Sequence, residues 1–126
     1  MVLMGALALG ACARMQVTSV ALEEKRVCII ENPRVKFDFI GAYRRALEER
    51  GFAVEVLPET ASLTACPVTS RYIGYYRWDL VMYLASGEIQ VFRGGQPAGR
   101  AVYTARSSRT SAEIVIRDMV AEIFKG

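Results

Sequence analysis

The order of apolar and polar positions predicts a β-α-β unit in the first half of the chain. Residues 25–31 form the continuous apolar stretch of a central strand, and residues 52–57 alternate as a second strand should. Between them, residues 34–50 have the spacing of an amphipathic helix, with charged residues on the opposite side. The apolar positions of this helix are Val35, Phe39, Tyr43, Ala46 and Leu47.

Residues with known preferences for helix ends flank both predicted helices. Asn32 and Pro33 are suited to the N-cap and first turn of the helix over 34–50, and Gly51 suits its C-terminal end. Thr110 and Glu113 have the spacing of a capping box before a second apolar pattern. This pattern predicts a C-terminal helix at about residues 111–125, whose buried side would carry Val115, Ile116, Met119, Val120, Ile123 and Phe124.

The second half of the chain predicts an antiparallel meander of three strands. Residues 71–85 alternate as one long strand, and Ser86-Gly87 provides a turn before a return strand at residues 88–93. Gly94-Gly95 is a hairpin signal that precedes a third strand at residues 98–106. The fold class predicted from both halves is α+β, with two helices packed on one face of the sheet.

Alternation within residues 71–85 also predicts which side chains face the helices. The set expected in the core is Tyr72, Gly74, Tyr76, Trp78, Leu80, Met82 and Leu84. Tyr75, Arg77 and Tyr83 should then point to solvent. Tyrosine and arginine dominate interface hot spots, so these three are the candidate partner-binding residues. The alternative is that they form ordinary cross-strand pairs.

The first twelve residues resemble a lipoprotein signal. Residues 3–9 are apolar but too short to span a bilayer, which takes about 20 residues, and small residues precede Cys12. We expect residues 1–11 to be a signal peptide, Cys12 to carry lipid, residues 12–24 to be a tether and residues 25–126 to form one domain. The alternative is a buried N-terminal element with a core cysteine, and no basic residue precedes Arg14.

Composition argues against several kinds of function. The formal charge of +3 is spread over 126 residues without a basic run, which argues against nucleic-acid binding. The chain contains no histidine, so Ser-His-Asp and Cys-His catalytic arrangements are excluded. Two distant cysteines without histidine make a metal site improbable. We therefore expect no catalytic residue, no metal and no cofactor.

The roles expected for the three cysteines depend on the compartment in which the protein resides. If Cys12 is acylated, Cys28 in the first predicted strand and Cys66 in the loop after the second strand remain as a pair. An oxidising periplasm would favour a disulfide between them. The alternative is two buried free thiols.

Three segments, in order, resemble a known family. Val27-Cys-Ile-Ile-Glu-Asn-Pro33, Leu63-Thr-Ala-Cys-Pro67 and Arg77-Trp-Asp-Leu80 follow the lipobox, and together they are similar to the small proteobacterial lipoproteins of the Sbal_3080 family. The resemblance extends over essentially the whole chain. It implies a lipoprotein and supports the Cys28–Cys66 pairing, but it implies no catalytic residue.

These observations predict a non-catalytic lipoprotein at the periplasmic face of the bacterial outer membrane, bound to the membrane through its N-terminal lipid. Ala13 after the lipid cysteine favours the outer membrane by analogy with enteric sorting, in which aspartate at that position favours inner-membrane retention. The expected partner is a protein or other envelope component, not nucleic acid. The alternative is a small-ligand carrier or enzyme with a cleft of arginines and carboxylates.

Overall fold

The computed structural model describes residues 13–125, which form a six-stranded mixed sheet and two helices. The strands lie in the order β1-β6-β5-β4-β2-β3 across the sheet. The strands are β1 (Ala13–Thr18), β2 (Arg26–Ile30), β3 (Ala53–Leu57), β4 (Val68–Trp78), β5 (Met82–Arg93) and β6 (Gln96–Ala105), and the helices are α1 (Phe39–Glu49) and α2 (Ala112–Ile123). The predicted α+β class with a C-terminal helix is confirmed.

The β-α-β unit is formed by β2, α1 and β3. Strands β2 and β3 are parallel, and β4 is also parallel to β2, with Cys28 opposite Thr69 and Ile29 opposite Ser70. The other neighbouring strands are antiparallel. Because β2 has strands on both sides and is covered on both faces, its residues from Val27 onward are all buried. This explains the continuous apolar stretch in the sequence.

Both helices pack on one side of the sheet, which we call the inner face. Arg45 of α1 donates two hydrogen bonds of 3.1 Å to Glu113 of α2, so the helices lie side by side. Tyr43 of α1 reaches the sheet, where its hydroxyl is 2.7 Å from the Ser70 hydroxyl. Burial raises the pKa of Tyr43 above its usual value. The opposite side of the sheet, the outer face, has no helix among residues 13–125.

Helix α1 begins at Phe39, five residues later than the sequence predicts. Phe37 and Asp38 have φ values of 61° and 58°, which are incompatible with a continuing right-handed helix. Asn32 does not cap the helix, which begins seven residues later, and its side-chain oxygen instead accepts the Arg34 N–H at 3.1 Å. Its backbone N–H donates to the Tyr72 hydroxyl at 3.0 Å, and its side-chain amide donates to the Tyr72 carbonyl at 3.1 Å. These bonds anchor Asn32 to β4.

The other helix ends are close to their predicted positions. Gly51 follows α1 with a φ of 94°, as expected for a C-terminal glycine. The cap of α2 is Ser111 and not Thr110, since the Ser111 hydroxyl accepts the Ile114 N–H at 3.3 Å. Glu113 pairs with α1 and does not close the predicted capping box.

The turn between β4 and β5 lies at residues 79–81, so the turn predicted at Ser86-Gly87 is wrong. Gly87 is inside β5, where it lies opposite Gly74 of β4. A Cβ atom on Gly74 would come within 2.8 Å of the Phe39 ring. The two glycines therefore leave space for this ring against the sheet.

The prediction of a tether over residues 12–24 is wrong for residues 13–18, which form β1 and pair antiparallel with β6. Pairing satisfies backbone groups along the edge of β6 that would otherwise stay open. Met15 of β1 also packs against the core. Further along, the Val20 N–H donates to the Ile123 carbonyl at 2.7 Å, which holds the following segment against α2.

A disulfide joins Cys28 of β2 to Cys66 in the loop over residues 58–67, with a Cα–Cα distance of 6.3 Å. The predicted pairing is confirmed. The loop covers one end of the outer face, and the Thr69 hydroxyl beneath it donates to the Leu63 carbonyl at 2.8 Å. Phe92, opposite Thr69 in β5, is buried at the same end.

We expect loss of this disulfide to lower the free energy of unfolding without changing the fold. For the 38-residue separation, the chain-entropy argument gives roughly 3–4 kcal/mol. Denaturant titration of the Cys28→Ala/Cys66→Ala variant against the oxidised protein measures the difference. Equal stability of the two proteins would contradict the expectation.

Candidate functional site

Tyr75, Arg77 and Tyr83 meet on the outer face, at the end of the sheet that the loop over residues 58–67 does not cover. Arg77 lies directly opposite Tyr83 in the β4–β5 register, and Tyr75 lies opposite Ser86. Tyr75 is 64% exposed, and all three predicted residues line one open depression of about 500 Å³. Thr104 of β6 lies beside them. The structure thus brings the three candidates together, and partner binding by them stays a prediction.

A β-bulge produces this arrangement. The β4–β5 register shifts between Tyr75 and Tyr76, so that β5 carries Ala85 as an extra residue. Leu84 is buried towards the helices, and Tyr83 next to it is directed outward opposite Arg77. Because Ala85 is an extra residue, it shifts the alternation of side chains along β5. Tyr83 and Ser86 therefore both lie on the outer face.

Farther from the hairpin turn, charged and polar side chains on the outer face form hydrogen bonds with one another. Arg100 of β6 donates to Glu88 of β5 at 2.7 Å, and the Gln90 amide donates to the same carboxylate at 2.8 Å. The hydrogen bond from Arg100 is the main cause that lowers the pKa of Glu88. Arg71 lies over the Phe92 ring at 5.2 Å. Glu88 and Arg100 are thus engaged with each other in the sheet, in keeping with a structural role.

Trp78 and Leu80 do not point into the core, and this prediction is wrong. Trp78 is 68% exposed and Leu80 85%, since β4 and β5 extend beyond the helices at this end. Met82, also expected in the core, is exposed too, and so is Val81. We call residues 78–82 the hairpin tip. The run Leu80-Val81-Met82 places apolar residues on both faces of the predicted strand, but residues 72–73 and 75–76 do the same, so this run alone does not locate the tip.

The inner side of β4 just before the tip is covered by an aromatic contact. The rings of Phe37 and Tyr76 lie 5.0 Å apart. Burial, with a smaller contribution from Asp38, raises the pKa of Tyr76 to about 12.

A second concave site lies where β2 ends and β4 continues. It has a volume of about 420 Å³ and is lined by Glu31, Arg34, Glu59 and Arg71, with Tyr72 at its wall. Strands β3 and β4 lie on opposite sides of β2, and the carboxyl edge at such a switch point is a common ligand position in α/β sheets. The balanced charges suit a ligand with groups of both signs.

The fold is similar to that of PelC. A PelC dodecamer from Paraburkholderia phytofirmans has a subunit that superposes with a TM-score of 0.68 at 14% identity, over 89% of this chain and 99% of that chain. A point variant of that PelC from the same organism gives a TM-score of 0.60 at 13% identity, over 87% and 94% of the two chains. At these identities the likeness concerns the fold alone. No family model and no curated protein matches the sequence.

The predicted signal segment over residues 1–11 and the predicted lipid-bearing Cys12 lie outside the described residues. Within residues 13–125, no helix is long and apolar enough to cross a membrane. In the same range, no cluster of three or more acidic or cysteine side chains could hold a metal ion.

The positions of the aromatic residues lead to a stability prediction. Trp78→Ala and Tyr75→Ala should each change the free energy of unfolding by about 0.5 kcal/mol or less, because both side chains are exposed. Leu84→Ala, at a site only 1% exposed, should cost about 2–5 kcal/mol. Thermal or urea unfolding of the three variants measures these effects. A large loss from Trp78→Ala would contradict the exposed position of the tip.

Proposed function

We propose that this protein is a non-catalytic lipoprotein held by an acylated Cys12 at the periplasmic face of the bacterial outer membrane. Residues 3–12 support the anchor through their apolar run and small residues before the cysteine. The Cys28–Cys66 disulfide supports an oxidising compartment, because such bonds persist outside the reducing cytosol.

We further propose that the protein binds an envelope protein through Tyr75, Arg77 and Tyr83. The observation that carries this proposal is the uncovered part of the outer face, where these three residues line one depression. Aromatic rings supply contact area at low conformational cost, and a guanidinium adds directed hydrogen bonds. Tyrosine and arginine are the residues that most often anchor protein interfaces, so this surface suits a protein partner.

A ligand carrier or enzyme is the second candidate. The cleft lined by Glu31, Arg34, Glu59 and Arg71 favours it, because charged groups of both signs converge there. Retention of a small molecule in native mass spectra, lost on Arg71→Ala, would support this candidate over the first.

The anchor is tested by Cys12→Ser, which removes the thiol that would receive the lipid. We expect the wild-type protein to carry acyl mass and to sediment with membranes, and the variant to lack the acyl groups and leave the outer-membrane fraction. Ala13→Ser is the matched control and should keep the lipid. A wild-type protein without acyl mass would contradict the proposal.

Partner binding is tested with a photo-crosslinking residue in place of Tyr75 in cells. We expect a protein adduct whose yield falls about 30-fold with Arg77→Ala, equivalent to the 2 kcal/mol typical of an interface anchor. The same crosslinker at Arg44, an exposed position of α1, should give no such adduct.

Mass analysis of the adduct identifies the partner as another protein or a second copy. The second copy is included because the PelC of similar fold is a dodecamer. An adduct yield that is insensitive to both Arg77→Ala and Tyr83→Ala would contradict binding through this surface.

A further inference from the structure

The hairpin tip carries large apolar side chains that the fold leaves in solvent. Trp78, Leu80, Val81 and Met82 are all exposed, and Asp79 is the polar residue among them. Single apolar residues on a surface are ordinary, but four within a five-residue projection form a contiguous patch. Such patches mark a contact with a partner or a membrane.

Leu80 occupies a backbone position that favours other residues. Its φ of 64° lies in the left-handed region, which glycine, asparagine and aspartate adopt more easily than leucine. The side chain is not buried in the protein in return. A turn optimised for folding alone would favour glycine here, so the leucine points to a contact outside the chain.

We propose that the hairpin tip inserts into the lipid bilayer as a second membrane contact of this protein. The identity of that bilayer rests on the proposed anchor at Cys12. The acyl chains would hold the chain at the membrane, and the tip would fix how the sheet is oriented relative to it.

The strand register places the tip at the end of the sheet where β1 begins. Ala13 lies opposite Ala105 of β6, and the preceding β6 residue, Thr104, lies opposite Ser86 of β5. Ser86 in turn is opposite Tyr75 of β4. Since a peptide bond joins residue 12 to Ala13, a lipid on that residue would enter the membrane beside this end of the sheet.

The distances along the strands suit interfacial insertion. Ala13 is level with the bulge at Tyr75/Tyr76, and Trp78 lies two residues beyond Tyr76 in β4. Two residues of extended strand span roughly 7 Å. Interfacial segments bury their apolar side about 5–10 Å into the boundary of headgroups and acyl chains. The tip would therefore reach that depth when Ala13 lies at headgroup level.

Charge around the tip favours a phospholipid surface. Arg77 directly precedes the tip, and the exposed Arg14 and Arg109 lie at the same end of the molecule. The connection that carries Arg109 is joined to the tip, because the Ser108 hydroxyl donates to the Asp79 carboxylate at 3.2 Å. Arginine next to tryptophan suits the interface, where cations meet lipid phosphates and the indole ring lies at headgroup level.

The chain contains a single tryptophan, so the fluorescence of Trp78 reports on the tip alone. The processed protein is reconstituted into vesicles of phosphatidylethanolamine and phosphatidylglycerol. We expect Trp78 emission to shift to shorter wavelength, to be quenched by lipids brominated on their acyl chains near the headgroup, and to be protected from aqueous iodide. Emission typical of water, quenched by iodide and not by the brominated lipid, would overturn the proposal.

The Leu80→Asp/Met82→Asp variant should lose the shift, the lipid quenching and the protection from iodide. Aspartate tolerates the left-handed backbone better than leucine, so a folded protein is expected, and circular dichroism checks it. Val56→Asp is the matched control, because Val56 is also exposed but pairs with Ile29, far below the tip. If the tip variant keeps the lipid quenching, the proposal is wrong.

Intact mass measured on the same samples separates this proposal from the anchor. Acyl groups on Cys12 without lipid quenching of Trp78 would contradict insertion of the tip and support the lipid anchor. Lipid quenching of Trp78 in a protein without acyl groups would support insertion of the tip and contradict the lipid anchor. If the tip packs against a second copy instead, emission shifts without lipid quenching and Leu80→Asp reduces the size of the oligomer, which also overturns the proposal.

Discussion

Two amphipathic helices have to bury their apolar sides, and both do so on the inner face of one sheet. Helices α1 and α2 lie next to each other there, joined by Arg45 and Glu113. Since the described part of the chain has no further helix, the outer face is covered only where the loop over residues 58–67 crosses it. The Cys28–Cys66 disulfide holds that loop in place. The rest of the outer face is open, and this one-sided covering creates the candidate surface.

Sequence patterns predict the elements well because burial produces them. Burial on one side gives alternation or helical spacing, and burial on both sides gives a continuous apolar stretch. The helical spacing of α2 and the continuous apolar stretch of β2 both consist of buried side chains. Ile123 of α2 and Ile29 of β2 are each 0% exposed. Alternation, however, reports only the side of the strand on which a residue lies. Tyr76 and Trp78 lie on the same face of β4, yet Tyr76 is covered by Phe37 and Trp78 lies beyond either helix. Whether a part of a face is covered depends on tertiary packing, and the alternation of residues does not show it.

The β4–β5 turn was not predictable from local signals, because glycine occurs both in turns and inside strands where a neighbouring side chain needs space. Gly87 suggests a turn, but in the structure it makes space for Phe39, while the real turn contains Leu80 at a position where glycine would be expected. The same error affects the candidate site. Alternation along one long strand predicts Tyr83 on the same face as Arg77 but six positions away from it, and the structure does place them on one face. Tyr83 belongs to the next strand, however, and reaches Arg77 through the hairpin register.

The open outer face and the hairpin tip share Arg77, and this links the two proposals. Arg77 is one residue from Trp78 and lies opposite Tyr83, so insertion of the tip would bring it to the level of the lipid phosphates. Tyr75, two residues farther back, would lie roughly 7 Å above that level. A partner bound at this surface would then touch the membrane as well. If partner and lipid compete for the guanidinium, each weakens binding of the other by the same free energy, as thermodynamic linkage requires. If instead Arg77 contacts only the lipid, the partner and the lipid bind independently. Tyr75 and Tyr83 then provide the contacts to the partner.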